Sequence, residues 1–440
     1  MTWAGALVAL VGLTSFWMCF RAVPDQVAVR AVGSVIVMTT LVPVMAVADQ
    51  TVAISAMAIS VGVCLIARVR STASVGLPGG VGVALLLAFL TWSAARIVGQ
   101  FSARSVVLQV GMLITVGALA LVVPLLRRSD LRIIADVVLV LVIAHTVYAA
   151  LEQINAVGAV WQLREKSLET IEDRLNVLVP SLAGRSQSSF GHPIPFGFFA
   201  CFSGLILTHA AFQYRRRRYG IGVAVSLIAL VLSGTRSAAV ALIAALLAYA
   251  LANVRWHRLL PFIAGAGILA VLALLVNLPQ LLALDSRFES SVSFIHRTLV
   301  TGSWSNLWSQ DETLRWFGWG AGATAELFRS GIVRGARNLV YFDNTYISLF
   351  ALSGLLAVIL FCAVLSWSIR GGALAIGIGT FVAVMGFSFD EQLWQLPLMI
   401  LAVGSLLPRP LGVLHRQEVV VEPIGSPSAP TRRARRAMST

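Results

Sequence analysis

The chain has 440 residues, of which 58% are hydrophobic and only 12% charged, and its mean hydropathy is +0.87. A soluble domain of this size does not have that balance, and the apolar runs are too long and continuous for the strands of a barrel. The formal net charge of +14 is almost entirely arginine, Lys166 being the sole lysine. These arginines sit in the gaps between apolar runs, which argues against a nucleic-acid partner and for a polytopic membrane protein.

About 20 apolar residues cross a bilayer core as a helix. The runs predict an all-α polytopic membrane protein with about 12–13 transmembrane helices. They fall at roughly 3–20, 27–47, 51–67, 81–95, 105–126, 133–154, 193–214, 219–233, 237–253, 259–277, 344–366, 373–389 and 393–407. The first run lacks a basic leader and a small-residue cleavage site, so it reads as a retained span rather than a signal peptide. Cys19, Cys64, Cys201 and Cys362 all fall within apolar runs, which predicts neither a disulfide nor a metal site. Residues 1–407 form a single membrane domain in this reading, and 408–440 a disordered basic tail rich in Pro, Ser and Arg.

Arginine asymmetry in short loops sets the orientation. Arg21, Arg68 and Arg70, Arg127 and Arg128, Arg215–Arg218, Arg255 and Arg258, and Arg370 all share one parity, as do Arg432, Arg433, Arg435 and Arg436 of the tail. That side is expected to be the cytoplasm, with the N-terminus outside and the C-terminus inside. Two loops, 155–192 and 278–343, then lie outside, together with the Ser233-Gly234-Thr235-Arg236-Ser237 turn between two spans. The longer loop carries Trp304, Trp308, Trp316 and Trp319, suited to amphipathic helices at an interface.

The same rule depletes arginine from the outer side, so each outer arginine needs a reason. Arg185, Arg236, Arg297 and Arg337 are such residues. A guanidinium binds phosphate in a bidentate fork and can stabilise charge developing on a diphosphate leaving group. Each also has a plainer reading. Arg236 can snorkel to headgroups. Arg185 and Arg297 can pair with a loop carboxylate such as Asp173 or Glu289. Arg315, Arg329 and Arg334 read as solvated loop charges.

"LSGTRSAAVAL" at 232–242 resembles the signature of the O-antigen ligase and O-antigen polymerase family. So does its setting: Arg185 followed by Gly191-His192-Pro193, then Arg297, Trp304 and Trp308, the glycines of Gly318-Trp319-Gly320-Ala321-Gly322, and Asp343-Asn344-Thr345-Tyr346-Ile347 leading into a span with Gly354. The resemblance covers about residues 185–365. It implies a GT-C-like membrane glycosyltransferase of the bacterial cytoplasmic membrane, active on its extracytoplasmic face in cell-envelope polysaccharide synthesis. The donor would be a glycan on an undecaprenyl-type polyprenyl diphosphate, and the acceptor a glycan or lipid.

In that frame Arg185, Arg236, Arg297 and Arg337 would hold the diphosphate, and Arg236 and Asp343 would be catalytic, Asp343 as the base. Asn344 and His192 would orient substrate. The ligases commonly carry His-Asn where this chain has Asp343-Asn344. No cofactor and no metal are expected, since no acidic pair of the Asp-x-Asp kind stands outside. The plainer readings are helix capping for Asp343, structural roles for His192 and His296, a flexible hinge for Gly318, Gly320 and Gly322, a polar turn for Asp390-Glu391, and a satisfied core histidine for His145. The competing function is a transporter or flippase of the same lipid-linked glycans, which would more often show paired broken helices or an internal repeat.

Overall fold

The computed structural model describes residues 3–44, 47, 49–71, 80–98, 103–158, 160–161, 176, 179, 182, 184–253, 292–336, 339–390 and 394–407. The tail after 407, the expected span 259–277 and Arg337 lie outside these residues. Among the described residues the protein is all-α. Among the described residues nine α-helices precede the segment 292–343, expected to lie outside: α1 (Trp3–Arg21), α2 (Pro24–Leu41), α3 (Gln50–Arg70), α4 (Val81–Ile97), α5 (Ala103–Ala120), α6 (Asp130–Gln153), α7 (Pro193–Tyr214), α8 (Arg217–Ser233) and α9 (Arg236–Asn253). The outer segment holds α10 (Val292–Gly302), α11 (Trp304–Trp308), α12 (Glu312–Phe317) and α13 (Thr324–Arg329). Three membrane helices follow, α14 (Thr345–Ser368), α15 (Ala373–Met385) and α16 (Gln395–Leu406).

Every expected span inside the described residues coincides with a helix. Seven helices are long and apolar enough to cross a membrane unaided, while α4, α15 and α16 are apolar but shorter. The expected run 373–389 ends at Met385 because Gly386–Asp390 turn back onto the start of α14. There the Gly386 carbonyl accepts from Thr345 N (2.7 Å), and that of Phe389 from Thr345 Oγ1 (2.6 Å). A helix end at membrane depth must find such partners within the protein.

Contacts between helix ends gather into two sets. Arg70 at the end of α3 donates to the carbonyls of Cys19 and Phe20 at the end of α1. Arg127 before α6 pairs with Asp25 at the start of α2, and Arg218 at the start of α8 with Asp136 in the second turn of α6. At the opposite ends, Ser189 and Trp161 donate to the last carbonyls of α2, at Thr40 and Leu41. Arg96, closing α4, donates to the Gly318 carbonyl (3.0 Å).

α7 is the central helix, with 78% of its span buried. It packs on α6 and α8, and α9 packs on α15. The outer segment is a folded layer rather than a loop. Val300, Leu307, Leu327, Val333 and Phe342 form a small core of their own and close it against Phe350 and Leu352 of α14.

α14 is broken. Gly354 has φ 78° and ψ 178° inside an otherwise continuous helix. A break in a membrane helix frees carbonyls, and here they are taken up by the protein. Trp319 N bonds the Ala351 carbonyl (2.9 Å), Gly320 N that of Leu352 (2.8 Å), and Trp92 Nε1 that of Ser353 (2.9 Å). Gly318 and Gly354 make the close backbone approach possible, since a Cβ on Gly318 would lie 2.5 Å from the Leu352 carbonyl carbon.

Candidate functional site

The α8–α9 turn is built before any ligand is considered. Gly234 adopts the left-handed conformation that ends α8, with φ 61°, as helix C-termini require. Ser233 Oγ donates to the Leu230 carbonyl (2.7 Å) and accepts from Thr235 N (3.3 Å). Thr235 Oγ1 donates to the Pro193 carbonyl (3.2 Å), tying the turn to the start of α7. Gly197 leaves the room, since a Cβ there would lie 2.9 Å from both Ser233 and Thr235 side chains. Arg236 then opens α9.

The carbonyls that α8 leaves open are taken by the segment before α7. Asn176 Nδ2 bonds the Val231 carbonyl (2.8 Å), Ser186 N that of Leu232 (2.9 Å) and Arg185 Nε that of Ser233 (3.1 Å). Arg185 also donates to Thr235 Oγ1 (3.2 Å). Its guanidinium thus braces the turn that presents Arg236. Removing it leaves the Ser233 carbonyl with only the long contact from Thr235 Oγ1 (3.4 Å), at a cost of about 1–3 kcal/mol. Arg185→Ala is therefore expected to lower the melting temperature as well as transfer, read by thermal unfolding in detergent beside a transfer assay.

The strap carrying Arg185 is in turn latched by the end of α6. Glu152 Oε2 accepts from Gln187 N (3.0 Å) and Ser188 N (2.9 Å), and Gln153 Nε2 donates to the Gly184 carbonyl (2.9 Å) and Ser186 Oγ (2.8 Å). His145 Nδ1 meets the Ser188 and Ser189 hydroxyls at 3.1 and 3.3 Å, its ring lying beside Phe190 and Phe199. His145 is a packed core histidine, though its Nε2 finds no hydrogen-bond partner. Sequence reasoning passed over Glu152 and Gln153. The signal was there: a Glu-Gln pair closes an apolar span just before an arginine-bearing loop.

Arg297, on α10, stands 3.5 Å from Asp343 through Nε and Oδ2, an ion pair whose side chains are 27% and 13% exposed. Arg236 is close enough to Arg297 for their charges to repel. Asp343 does not cap α14. Asn344 does, with Oδ1 accepting from Ile347 N (3.1 Å) and Nδ2 donating to the Phe387 carbonyl (3.4 Å). Capping by Asn344 leaves the preceding carboxylate turned to Arg297. Beside them Asp390, buried on the 386–390 turn, accepts from Ser348 Oγ at 2.6 Å.

His192 caps α7, Nδ1 accepting from Ile194 N (3.2 Å), with its ring 6.1 Å from that of Trp394. Burial and the nearby Arg185 charge lower its pKa to about 3, so the ring is neutral through the physiological range. With Nδ1 an acceptor, Nε2–H is left as its donor. His296 is buried and knits the outer layer, donating from Nε2 to the Tyr341 carbonyl (2.9 Å) and accepting at Nδ1 from Ala336 N (3.1 Å). The Gly318–Gly320 stretch is neither a phosphate loop nor a loose hinge but the clamp in the break of α14.

Arg185, Arg236, Arg297 and Asp343 therefore come from four separate stretches to one end of the helix bundle. Three guanidiniums against one carboxylate give the group a formal charge of +2 (3 − 1). Preorganised guanidiniums in a partly buried setting are suited to holding an anion and to stabilising charge that develops on it. Among the described residues no three His, Cys, Asp or Glu side chains are gathered as metal ligands.

The fold is that of an all-α polytopic membrane protein, with a cluster of arginines beside the folded segment 292–343. Residues 221–362, about a third of the chain, match the family model described as O-antigen ligase. That match supports O-antigen ligase-like glycosyl transfer in cell-envelope polysaccharide synthesis. The match runs from α8 through most of α14 and contains Arg236, Arg297, Asp343 and Asn344, while Arg185 and His192 precede it. A search of curated proteins found no match to the chain.

Proposed function

We propose that the protein transfers a glycan from a polyprenyl diphosphate to a glycan or lipid acceptor, at the extracytoplasmic face of a bacterial cytoplasmic membrane, with its C-terminus in the cytoplasm. The observation that carries this reading is the Arg297–Asp343 ion pair, with Arg236 near enough for its charge to bear on Arg297. The acceptor hydroxyl attacks the anomeric carbon and forms the new C–O bond while the bond to the diphosphate oxygen breaks. The diphosphate leaves with the electron pair, and Arg236 and Arg297 take up its growing charge. The hydroxyl proton goes to Asp343, which the Arg297 guanidinium holds in place. Arg185, bound to the turn, seats Arg236 and adds its charge to the same field; His192 Nε2–H and Asn344 hold the surrounding groups. Arg337 is proposed as a further diphosphate contact.

Guanidinium groups supply all the charge stabilisation in this mechanism, so transfer is expected to persist in excess EDTA. Loss of activity restored by Mg²⁺ or Mn²⁺ would overturn that part. The decisive measurement is product analysis with a defined lipid-diphosphate donor. A ladder of product lengths means a polymerase, and a single addition means ligase-type transfer. Movement of the donor across the bilayer with no transfer would mean a flippase and sink the proposal. The break in α14 is a feature transporters share. Here its carbonyls are occupied by Trp92, Trp319 and Gly320, which speaks for a static support rather than a substrate path.

A further inference from the structure

The outer layer carries an aromatic surface that the transfer chemistry above does not use. Trp304 and Trp308 stand one turn apart on α11, with ring centroids 6.0 Å apart and planes within 20°. Behind them lies the buried Phe350 of α14, stacked at 4.5 Å and 29° on Trp304 and at 5.9 Å and 23° on Trp308. Among the described residues the indoles remain 38% and 46% exposed. The Arg315 guanidinium lies over the Trp308 ring at 5.9 Å. Two broad side chains are thus held parallel and backed by the core. Large aromatic surface left open in a fixed arrangement marks a binding surface.

The surroundings choose the occupant. Ser305, Ser309, Asp311 and Glu312, all exposed, lie beside the two tryptophans in the chain, and Arg315 lies over Trp308. The two carboxylates are repelled by an anionic bilayer surface, and the guanidinium at the patch, Arg315, is already engaged with the Trp308 ring. Hydroxyls and carboxylates beside an aromatic face are the groups that meet a sugar. The axial C–H bonds of a pyranose form an apolar face with a slight positive charge, which stacks on the negative face of an indole. Its equatorial hydroxyls then point outward to hydrogen-bonding side chains.

We infer that Trp304 and Trp308 form a sugar-stacking platform that holds pyranose units of the glycan being transferred or extended. The inference rests on the transfer reading for its substrate, but the platform is a separate site. Phe350 ties it to the chemistry, standing six residues into α14 from Asn344, roughly 10 Å along the helix axis from the carboxylate. A glycan reacting at Asp343 extends over the indoles within a short oligosaccharide's length.

The test uses the full-length protein in detergent micelles and a panel of soluble, lipid-free oligosaccharides: cellotriose, xylotriose and mannotriose. Saturation-transfer NMR reads weak binding directly. At least one of the three is expected to bind saturably. Trp308→Ala should weaken that binding about tenfold or more, and Trp308→Phe, which keeps an aromatic face, should stay within about threefold. Arg236→Lys should leave it unchanged while lowering transfer.

No saturable binding by any of the three, or binding indifferent to Trp308→Ala with Trp308→Phe as the folded control, would overturn the platform. So would quenching by brominated lipids in nanodiscs that disappears in Trp308→Phe, which would place the indole in the membrane. Binding that follows the tryptophans in a protein that transfers nothing would uphold the platform and fail the transfer reading. Normal transfer with saccharide binding indifferent to Trp308 would do the reverse.

Discussion

Replacing Arg236 by lysine is expected to lower kcat/KM for a defined lipid-diphosphate donor by about a hundredfold or more, with little change in melting temperature. Charge is conserved in this variant, so what it loses is the planar fork that engages two phosphate oxygens at once. The fold should survive because the turn is set by Arg236's neighbours: the left-handed Gly234, the Ser233 and Thr235 hydroxyls, and Arg185 on the Ser233 carbonyl. Arg297 sharpens the expectation. Its Nε faces Asp343 at 3.5 Å, so part of its charge is balanced and it is less able to replace Arg236. Full activity in the lysine variant would rule out the clamp. A parallel fall in stability would move Arg236 from the chemistry to the scaffold.

The second large effect is on folding. Gly354→Ala should destabilise the protein by about 3 kcal/mol or more. Two costs add. The backbone at φ 78° and ψ 178° is a region left almost wholly to glycine. A Cβ would also stand 2.1 Å from the Trp316 carbonyl oxygen and 2.3 Å from its carbon, both backbone atoms of the docked outer layer. Nothing soft is there to yield. Gly331→Ala is the control, since Gly331 has φ 74° but no neighbour within 4 Å of a built Cβ. Only conformational strain applies there, about 1–2 kcal/mol. Thermal unfolding in detergent, with proteolysis of the outer segment as a second probe, should order them as wild type, then Gly331→Ala, then Gly354→Ala. Equal effects at the two glycines would mean that the clamp adds nothing beyond strain.

The membrane helices were legible because hydropathy and span length reflect one physical demand, the backbone's need to satisfy itself in lipid. The arginines stood out in the sequence for a related reason, since charge on the expected outer face departs from a strong rule. Sequence did not show how that charge is divided. Arg185 and Arg236 look alike on paper. One spends its donors on the Ser233 carbonyl and Thr235 Oγ1, and the other opens α9 beside Arg297. Asp343 and Asn344 were ambiguous in the same way, because either side chain can cap a helix. Only the geometry of Ile347 N gives the cap to Asn344. The break in α14 was hidden for a different reason. Its cause lies more than thirty residues earlier in the chain, in Gly318 and its neighbours, and a local apolar pattern carries no trace of it.

The latch at the end of α6 bears on how such a site can be inherited. Glu152, Gln153 and His145 hold the strap that holds the turn, and all three precede the family-matched residues 221–362. The matched region is thus not a cassette. A chimaera that moved it into another membrane host would carry Arg236, Arg297 and Asp343 across but leave behind the residues that fix the pitch of the α8–α9 turn. Drift on the two sides of this seam has to be matched, so relatives with an altered Glu152 should differ in the 184–189 strap as well.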